Sequence, residues 1–354
     1  MVTAVASQIK RDYPGCHLTW FIGDKYKSVI DHNPHVDAVI SLPMSEWKGM
    51  NSDFNKINAV LTDVKMQGNY DGIFLTDLTL SGNMANYDGT NRSSMFRGYP
   101  NPITKGIQPV MRLVDSEIQT VTKFIARNKI TSYKNVILFE CSPQSDQSFV
   151  NKDFALRTAQ EIVYQFPDTC VIMTGANLNF QEEPGIIDAG VLSFRENAQL
   201  ANYCTLLIGC SSGITQICQS DWVTRKLPMI QLIRKDYHTN ASLVQDLEYH
   251  GVDASHVIEM TECTPGQVLV CVVCNRTFGF EVARSVYHEP VEVNLAPYFC
   301  IMVGWGIRNG RWNGMLKSFG LTFSRFGLNP RIIFGILKYG SKRIFRQRVK
   351  GLPS

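Results

Sequence analysis

The sequence predicts an α/β protein of two Rossmann-like domains facing one another, and three observations carry that prediction. Short apolar runs, too brief for helices and suited to buried parallel strands, alternate with stretches of helical apolar spacing. The alternation occurs in two consecutive units joined near residue 130, the pattern of open parallel sheets whose ligands gather at the carboxyl ends of strands. The third observation is the stretch Leu200 to Leu232. Its run Leu206-Leu207-Ile208 stops at Gly209, a small polar turn Cys210-Ser211-Ser212-Gly213 follows, and Ile214, Ile217 and Cys218 resume at helical spacing. Strand, turn and helix in that order aim the first backbone N–H groups and the positive end of the helix dipole at one spot, where an anion such as a phosphate sits well. A helix cap made by Ser211 or Ser212 accounts for the same tetrapeptide without a ligand.

In order along the chain, Val2 to Arg11 has the spacing of an amphipathic helix, ended by Pro14-Gly15. His17 to Ile22 reads as a strand, Asp24 to Asp31 as a helix, Ala38 to Leu42 as a strand, Phe54 to Lys65 as a helix and Gly72 to Leu75 as a strand. The chain opens on a helix, whereas a domain of this class normally opens on a buried strand. The first domain is therefore expected to lack its first strand in this sequence, either because the true start lies upstream or because the element is lost. Asn83 to Ile107, rich in Asn, Gly, Pro and Ser, predicts a long loop over the cleft. Asp115 to Ala126 predicts a helix with acidic residues in its first turn. The second unit then runs as strand Val136 to Phe139, polar loop Glu140 to Asn151, helix Phe154 to Phe166, strand Cys170 to Thr174 with Gly175, and short elements around Ile186 to Leu192. Helix Glu196 to Tyr203, the stretch around Gly209 and strand Pro228 to Ile233 complete it, and Gln267 to Tyr287 includes a further helix. The boundaries expected are 1–130, 131–265 and, for C-terminal helices and a basic amphipathic tail, 266–354.

The length of 354 residues suits two domains, and 44% hydrophobic with 19% charged residues is an ordinary globular composition. No apolar stretch reaches the roughly 18 residues needed to span a bilayer, and the start lacks a signal-peptide layout, so a cytoplasmic location is expected. Cys141, Cys170, Cys204, Cys210 and Cys218 lie in or beside apolar segments, as reduced thiols do. Cys271 and Cys274 form a CxxC within an apolar run, with no second pair or nearby His; core packing is favoured over a metal site. The net charge of +4 is unevenly spread: from Arg308 to Lys350 there are eleven Lys or Arg and no Asp or Glu. Around Arg331 to Val349 these cations flank Ile332, Ile333, Ile336, Leu337, Ile344 and Phe345, the composition of a helix lying in a membrane interface. A solvated basic helix is the plainer reading of that segment. Nucleic acid would attract the same charge, but nothing else resembles a base reader, and no nucleic-acid partner is expected.

The residues RDYPGCHLTWFIGDKYKSVIDHNPHVDAVISL, and later NVILFECSP, CVIMTG and ENAQLANYCTLLIGCSSGITQ, resemble glycosyltransferase family 9, the heptosyltransferase-like enzymes, over roughly residues 1 to 235. The resemblance implies a GT-B architecture, an acceptor domain followed by a nucleotide-sugar domain, and inverting transfer of a hexose or heptose to a lipopolysaccharide or other surface glycan. Donor contacts are then expected from Ser211, Ser212, Gly213 and Gln216, from Glu140, Ser142, Ser145, Gln147 and Ser148 in the loop after the second domain's first strand, and from Gly175 and Glu196. Family members usually carry an acid before the hydroxyl-Gly pair and a His three residues after it; this chain has Ser211-Ser212-Gly213 with Gln216. Many also carry a phosphate-pairing Lys where Gln147 or Ser148 stands, so charge assistance is weaker. The family's general base lies in the strand and loop preceding the helix that begins at Val2. Asp24 and Asp77 are the remaining acidic residues near strand ends, and each also suits a helix cap or turn. No metal or cofactor is required, because helix termini and side-chain donors hold the diphosphate. The competing reading is a catalytically inactive GT-B-type protein that binds a nucleotide or glycan.

Overall fold

The fold is that of a computed structural model, which describes residues 1–43, 50–77, 83–104, 106–141, 143, 147–175, 178, 180, 183–235, 242–291 and 295–327. The second domain holds a six-stranded, all-parallel sheet. Its strands are β3 (Asn135–Glu140), β4 (Thr169–Thr174), β5 (Ile186–Asp188), β6 (Leu206–Gly209), β7 (Met229–Ile233) and β8 (Val257–Thr261), in the order β5-β4-β3-β6-β7-β8. This is the doubly wound order, with the winding direction reversing between β3 and β6. The register places Phe139 beside Ile208, so Glu140 and Gly209 end neighbouring strands at the reversal point.

Alternation along these strands feeds two cores. Val136, Leu138, Ile172, Leu207 and Met229 face one side, while Ile137, Phe139, Val171, Ile208 and Ile230 face the other. The first side is covered by α4 (Asp115–Arg127), α6 (Glu196–Ala201), α7 (Gly213–Ile217) and α8 (Leu243–Tyr249). Its core also takes in Ala4, Val5 and Ile9 of α1 (Thr3–Asp12), so apolar packing is continuous between the two halves. The second side is covered by α5 (Lys152–Gln165), α9 (Pro265–Phe278) and α10 (Phe280–Tyr287). Local chemistry sets several boundaries. Asn151 caps α5, Thr264 and Gln267 form a capping box before Pro265 of α9, and Gly279, at φ +92°, separates α9 from α10. Cys271 is fully buried with its thiol pushed up to about 12 by burial, which marks a packing role rather than a reactive one.

The first domain holds the parallel pair β1 (Thr19–Gly23) and β2 (Ala38–Leu42), with α2 (Met50–Gln67) following. The segment expected as a helix after β1 is a 3-10 helix, Asp24–Val29. Among the described residues, Gly72 to Leu75 has no strand partner. Instead Phe74 packs edge-on against Tyr99 with ring centroids 4.8 Å apart, and the Leu75 carbonyl lies against Gly98, where a Cβ would approach it to 1.9 Å.

A larger departure concerns 83–107, expected as a long loop over the cleft. It contains a 3-10 helix Asn83–Asn86 and α3 (Asn91–Phe96), and Asp88, Thr90, Arg92, Ser93, Ser94 and Tyr99 are buried. Polar composition misled because these side chains find partners inside the molecule, some in this segment and some in distant elements. Asp88 accepts from Thr90 and Ser94 and pairs with Arg97 and Arg325, and these cations hold its carboxyl below the usual range against the opposing effect of burial. The chain then returns as an antiparallel pair, α11 (Ala296–Asn309) and α12 (Trp312–Phe326), which packs Tyr298, Phe299, Met302 and Met315 against Tyr87. Residues 328–354, which include the amphipathic segment Arg331 to Val349, lie outside the described residues.

Candidate functional site

The turn after β6 is organised around one buried carboxylate. Glu140, 2% exposed, accepts from the Cys210 amide (2.9 Å) and the Thr215 hydroxyl (3.1 Å), and also from the Ser212 hydroxyl and the Ile214 amide. The Ser211 amide donates to Gln231 Oε1 at 2.9 Å. Gly209 is required for this arrangement, because a Cβ there would come within 2.5 Å of both Gln231 Nε2 and Thr215 Oγ1. Burial pushes the Glu140 carboxyl up while the hydrogen bonds oppose that shift.

The positive end of α7 therefore already holds an acceptor, and it is the chain's own carboxyl group. This corrects two expectations. Glu140 is not a cleft-facing donor contact; it occupies the place at the first amides where a phosphate was expected. Ser212 does not cap α7 either, since its hydroxyl turns to Glu140.

A second buried glutamate repeats the device. Glu259 of β8, 1% exposed, accepts from the amides of Leu243 and Val244 at the start of α8 and from the Ser242 hydroxyl. Burial raises its pKa from 4.5 to about 7. A carboxyl whose folded value lies above its unfolded value contributes stability that is fully present below pH 4.5 and lost as pH rises through about 7. Glu259→Gln is accordingly expected to remove up to about 3 kcal/mol of the stability lost between pH 5 and pH 8. Thermal melts of both proteins across that range check this; parallel loss in the two would exclude Glu259 as the source.

The face of this turn not occupied by Glu140 opens on a cleft lined from both halves. Gln147, Ser211, Gln216, Ser242, Leu243 and Asp246 line it from the second domain, and Met1, Thr90, Asn91 and Arg92 from the other side. Ser211 is held in the left-handed region at φ +54°, a conformation a non-glycine residue adopts at a cost. Arg92 is 2% exposed and spans the cleft floor. Its Nε donates to Asp246 Oδ2 (2.6 Å), Nη1 to the Ile107 carbonyl (2.8 Å) and Nη2 to Gln216 Oε1 (3.0 Å). The last bond leaves the Gln216 amide NH2 as the group that can donate to a ligand. Asp246 is the one carboxylate among the described lining residues, and its buried Oδ1 has no hydrogen-bond partner among the described residues.

The structure thus gathers Ser211, Gln216 and Gln147 of the expected set at one cleft, with Ser212 and Gly213 in the same turn. Others lie elsewhere. Ser148 is buried and donates to the Leu232 carbonyl, bracing the sheet. Gly175 ends β4, and Glu196 accepts from the Ser193 amide at the start of α6. Asp24, exposed, accepts from the Lys25 amide; Asp77 is exposed with its carbonyl bonded to Asn83; neither lines the cleft. Ser142 and Ser145 lie outside the described residues. Arg92, Asp246, Gln231 and Glu259 were not foreseen. The last two carried a signal, a lone polar residue inside an apolar strand, MIQLI and VIEMT.

No family model matches the chain, and no curated protein matches it. Solved structures do. The crystal structure of the glycosyl transferase family 9 from Veillonella parvula DSM 2008 aligns with a TM-score of 0.54 at 15% identity, over 80% of this chain and 90% of that one. That likeness is one of fold. The chain has two α/β domains resembling the Rossmann-like folds of GT-B glycosyltransferases. E. coli ADP-heptose lps heptosyltransferase II aligns at 0.49 and 10% identity, over 76% of this chain and 92% of that one. E. coli heptosyltransferase WaaC with ADP aligns at 0.41 and 12% identity, over 80% and 94%.

Proposed function

We propose that the protein is an inverting glycosyltransferase that moves a sugar from a nucleotide-sugar donor to a lipopolysaccharide or other surface-glycan acceptor. The observation that carries this reading is the polar cleft at the reversal point of the second sheet, lined from both domains. In it the donor diphosphate lies against Ser211 and the amide groups of Gln216 and Gln147, beside the turn rather than at the first amides of α7. Asp246, whose Oδ1 has no hydrogen-bond partner among the described residues, is the candidate general base for the acceptor hydroxyl in place of Asp24 and Asp77. The cation-rich tail keeps the enzyme at the cytoplasmic face of a membrane that bears a glycolipid acceptor.

A second reading, a non-catalytic nucleotide- or glycan-binding protein, is favoured by one observation. Two helix ends bordering the cleft are filled by Glu140 and Glu259, which leaves less positive field for a leaving diphosphate. A panel of nucleotide sugars with a glycolipid acceptor separates the two by release of nucleoside diphosphate. Transfer is expected, with Asp246→Asn lowering kcat about 100-fold at nearly unchanged donor affinity. Donor binding without turnover by the wild type supports the second reading.

A further inference from the structure

We propose that the tip of the α11–α12 hairpin is a docking element for an anionic lipid surface. It deepens the membrane part of the reading above and is independent of the transfer chemistry. Gly310, in the left-handed region at φ +62°, ends α11, and α12 starts two residues later at Trp312. The inward faces of the hairpin are fixed: Tyr298 and Met302 are fully buried, and the Tyr298 hydroxyl donates to the Tyr87 carbonyl at 3.0 Å.

The outward faces at the tip are apolar and exposed. Val303 and Ile307 are spaced i,i+4 on α11, as are Trp312 and Leu316 on α12, and they are 39%, 58%, 52% and 61% exposed. Arg311 and Lys317 are exposed beside them. From Ala296 to the last residue the sequence has no Asp or Glu, and seven further Lys or Arg follow the exposed Gly327.

Charge and apolarity together select the partner. An anionic bilayer attracts nearby cations and offers a headgroup layer in which Trp and aliphatic side chains are favoured. A nucleic acid would meet the charge but leave three aliphatic side chains in water. A second copy of the hairpin would bring like charges together. No described helix is long and apolar enough to cross a membrane. The hairpin is also tied to the cleft. Arg325 of α12 donates to Thr90 Oγ1 (2.9 Å) and Ser93 Oγ (2.5 Å), in the segment that supplies Thr90, Asn91 and Arg92 to the cleft lining. Docking through the tip would therefore fix how that cleft stands over the lipid surface.

The test is flotation of the full chain with vesicles of phosphatidylcholine alone or with about 30% phosphatidylglycerol. The wild type is expected to float with the anionic vesicles. The variant Ile307→Ser/Trp312→Ser/Leu316→Ser is expected to lower the bound fraction about ten-fold at an unchanged melting temperature, because it alters only exposed side chains. Trp312→Phe alone should retain binding. Equal flotation of wild type and triple variant would overturn the hairpin proposal and leave the basic tail as the membrane contact, whereas no flotation of the wild type would remove both. Binding of a duplex oligonucleotide in preference to the vesicles, with the triple variant equally bound, would overturn the proposal in favour of nucleic acid.

Discussion

Glu140→Ala is expected to lower the stability of the protein by about 4 kcal/mol, enough to take the turn after β6 out of its native shape. The cause is local. Removal of the carboxyl group takes the acceptor from the Cys210 and Ile214 amides and the Ser212 hydroxyl, and leaves the buried Thr215 hydroxyl with Gln231 alone. Water could replace some of these bonds only if the space left by the side chain admits it, and Gln231 and Thr215 already crowd Gly209. Glu140→Gln keeps an acceptor oxygen at the same place and is expected to cost less than about 2 kcal/mol. Thermal and chemical denaturation check both. An alanine variant within about 1 kcal/mol of wild type would mean that the carboxylate does not hold the turn.

Arg92→Met is expected to cost about 3 kcal/mol and to loosen the cleft. The substitution leaves Asp246 without its cation, the Ile107 carbonyl without a donor and Gln216 free to turn its amide. Breaking one side of a buried ion pair is more damaging than removing both, so Arg92→Met/Asp246→Leu should recover part of the loss. Because Gln216 is a proposed ligand contact oriented by Arg92, nucleotide affinity should fall in the single variant by about ten-fold. Melting temperature and calorimetric titration separate the two effects. Unchanged affinity in a folded Arg92→Met protein would remove Gln216 from the binding site.

The apolar runs around Leu138, Ile172, Ile208 and Ile230 were legible as strands because a parallel strand buried on both faces has no polar face to conceal it. The polar turn after Gly209 was legible as a special place, but not for its reason. Sequence places Glu140 and Cys210 seventy residues apart, and only the order of strands brings them together, which turns a presumed ligand residue into the filler of the helix end. The stretch 83–107 misled in the opposite direction. Its Asp, Thr, Ser and Arg residues look solvated one at a time, yet inside the molecule Asp88, Thr90 and Arg325 bond to one another and Arg92 pairs with Asp246. Partners from distant elements carry no local pattern, so Arg92 with Asp246 could not be read in advance.

The most direct test is hydrogen exchange with ADP, UDP, GDP and CDP on the intact chain. Slower exchange is predicted in both Ser211 to Gln216 and Thr90 to Arg92 with at least one of the four, since a diphosphate held between the halves touches each side of the cleft. No slowing with any nucleotide, or slowing confined to segments away from both, would contradict the placement of the donor.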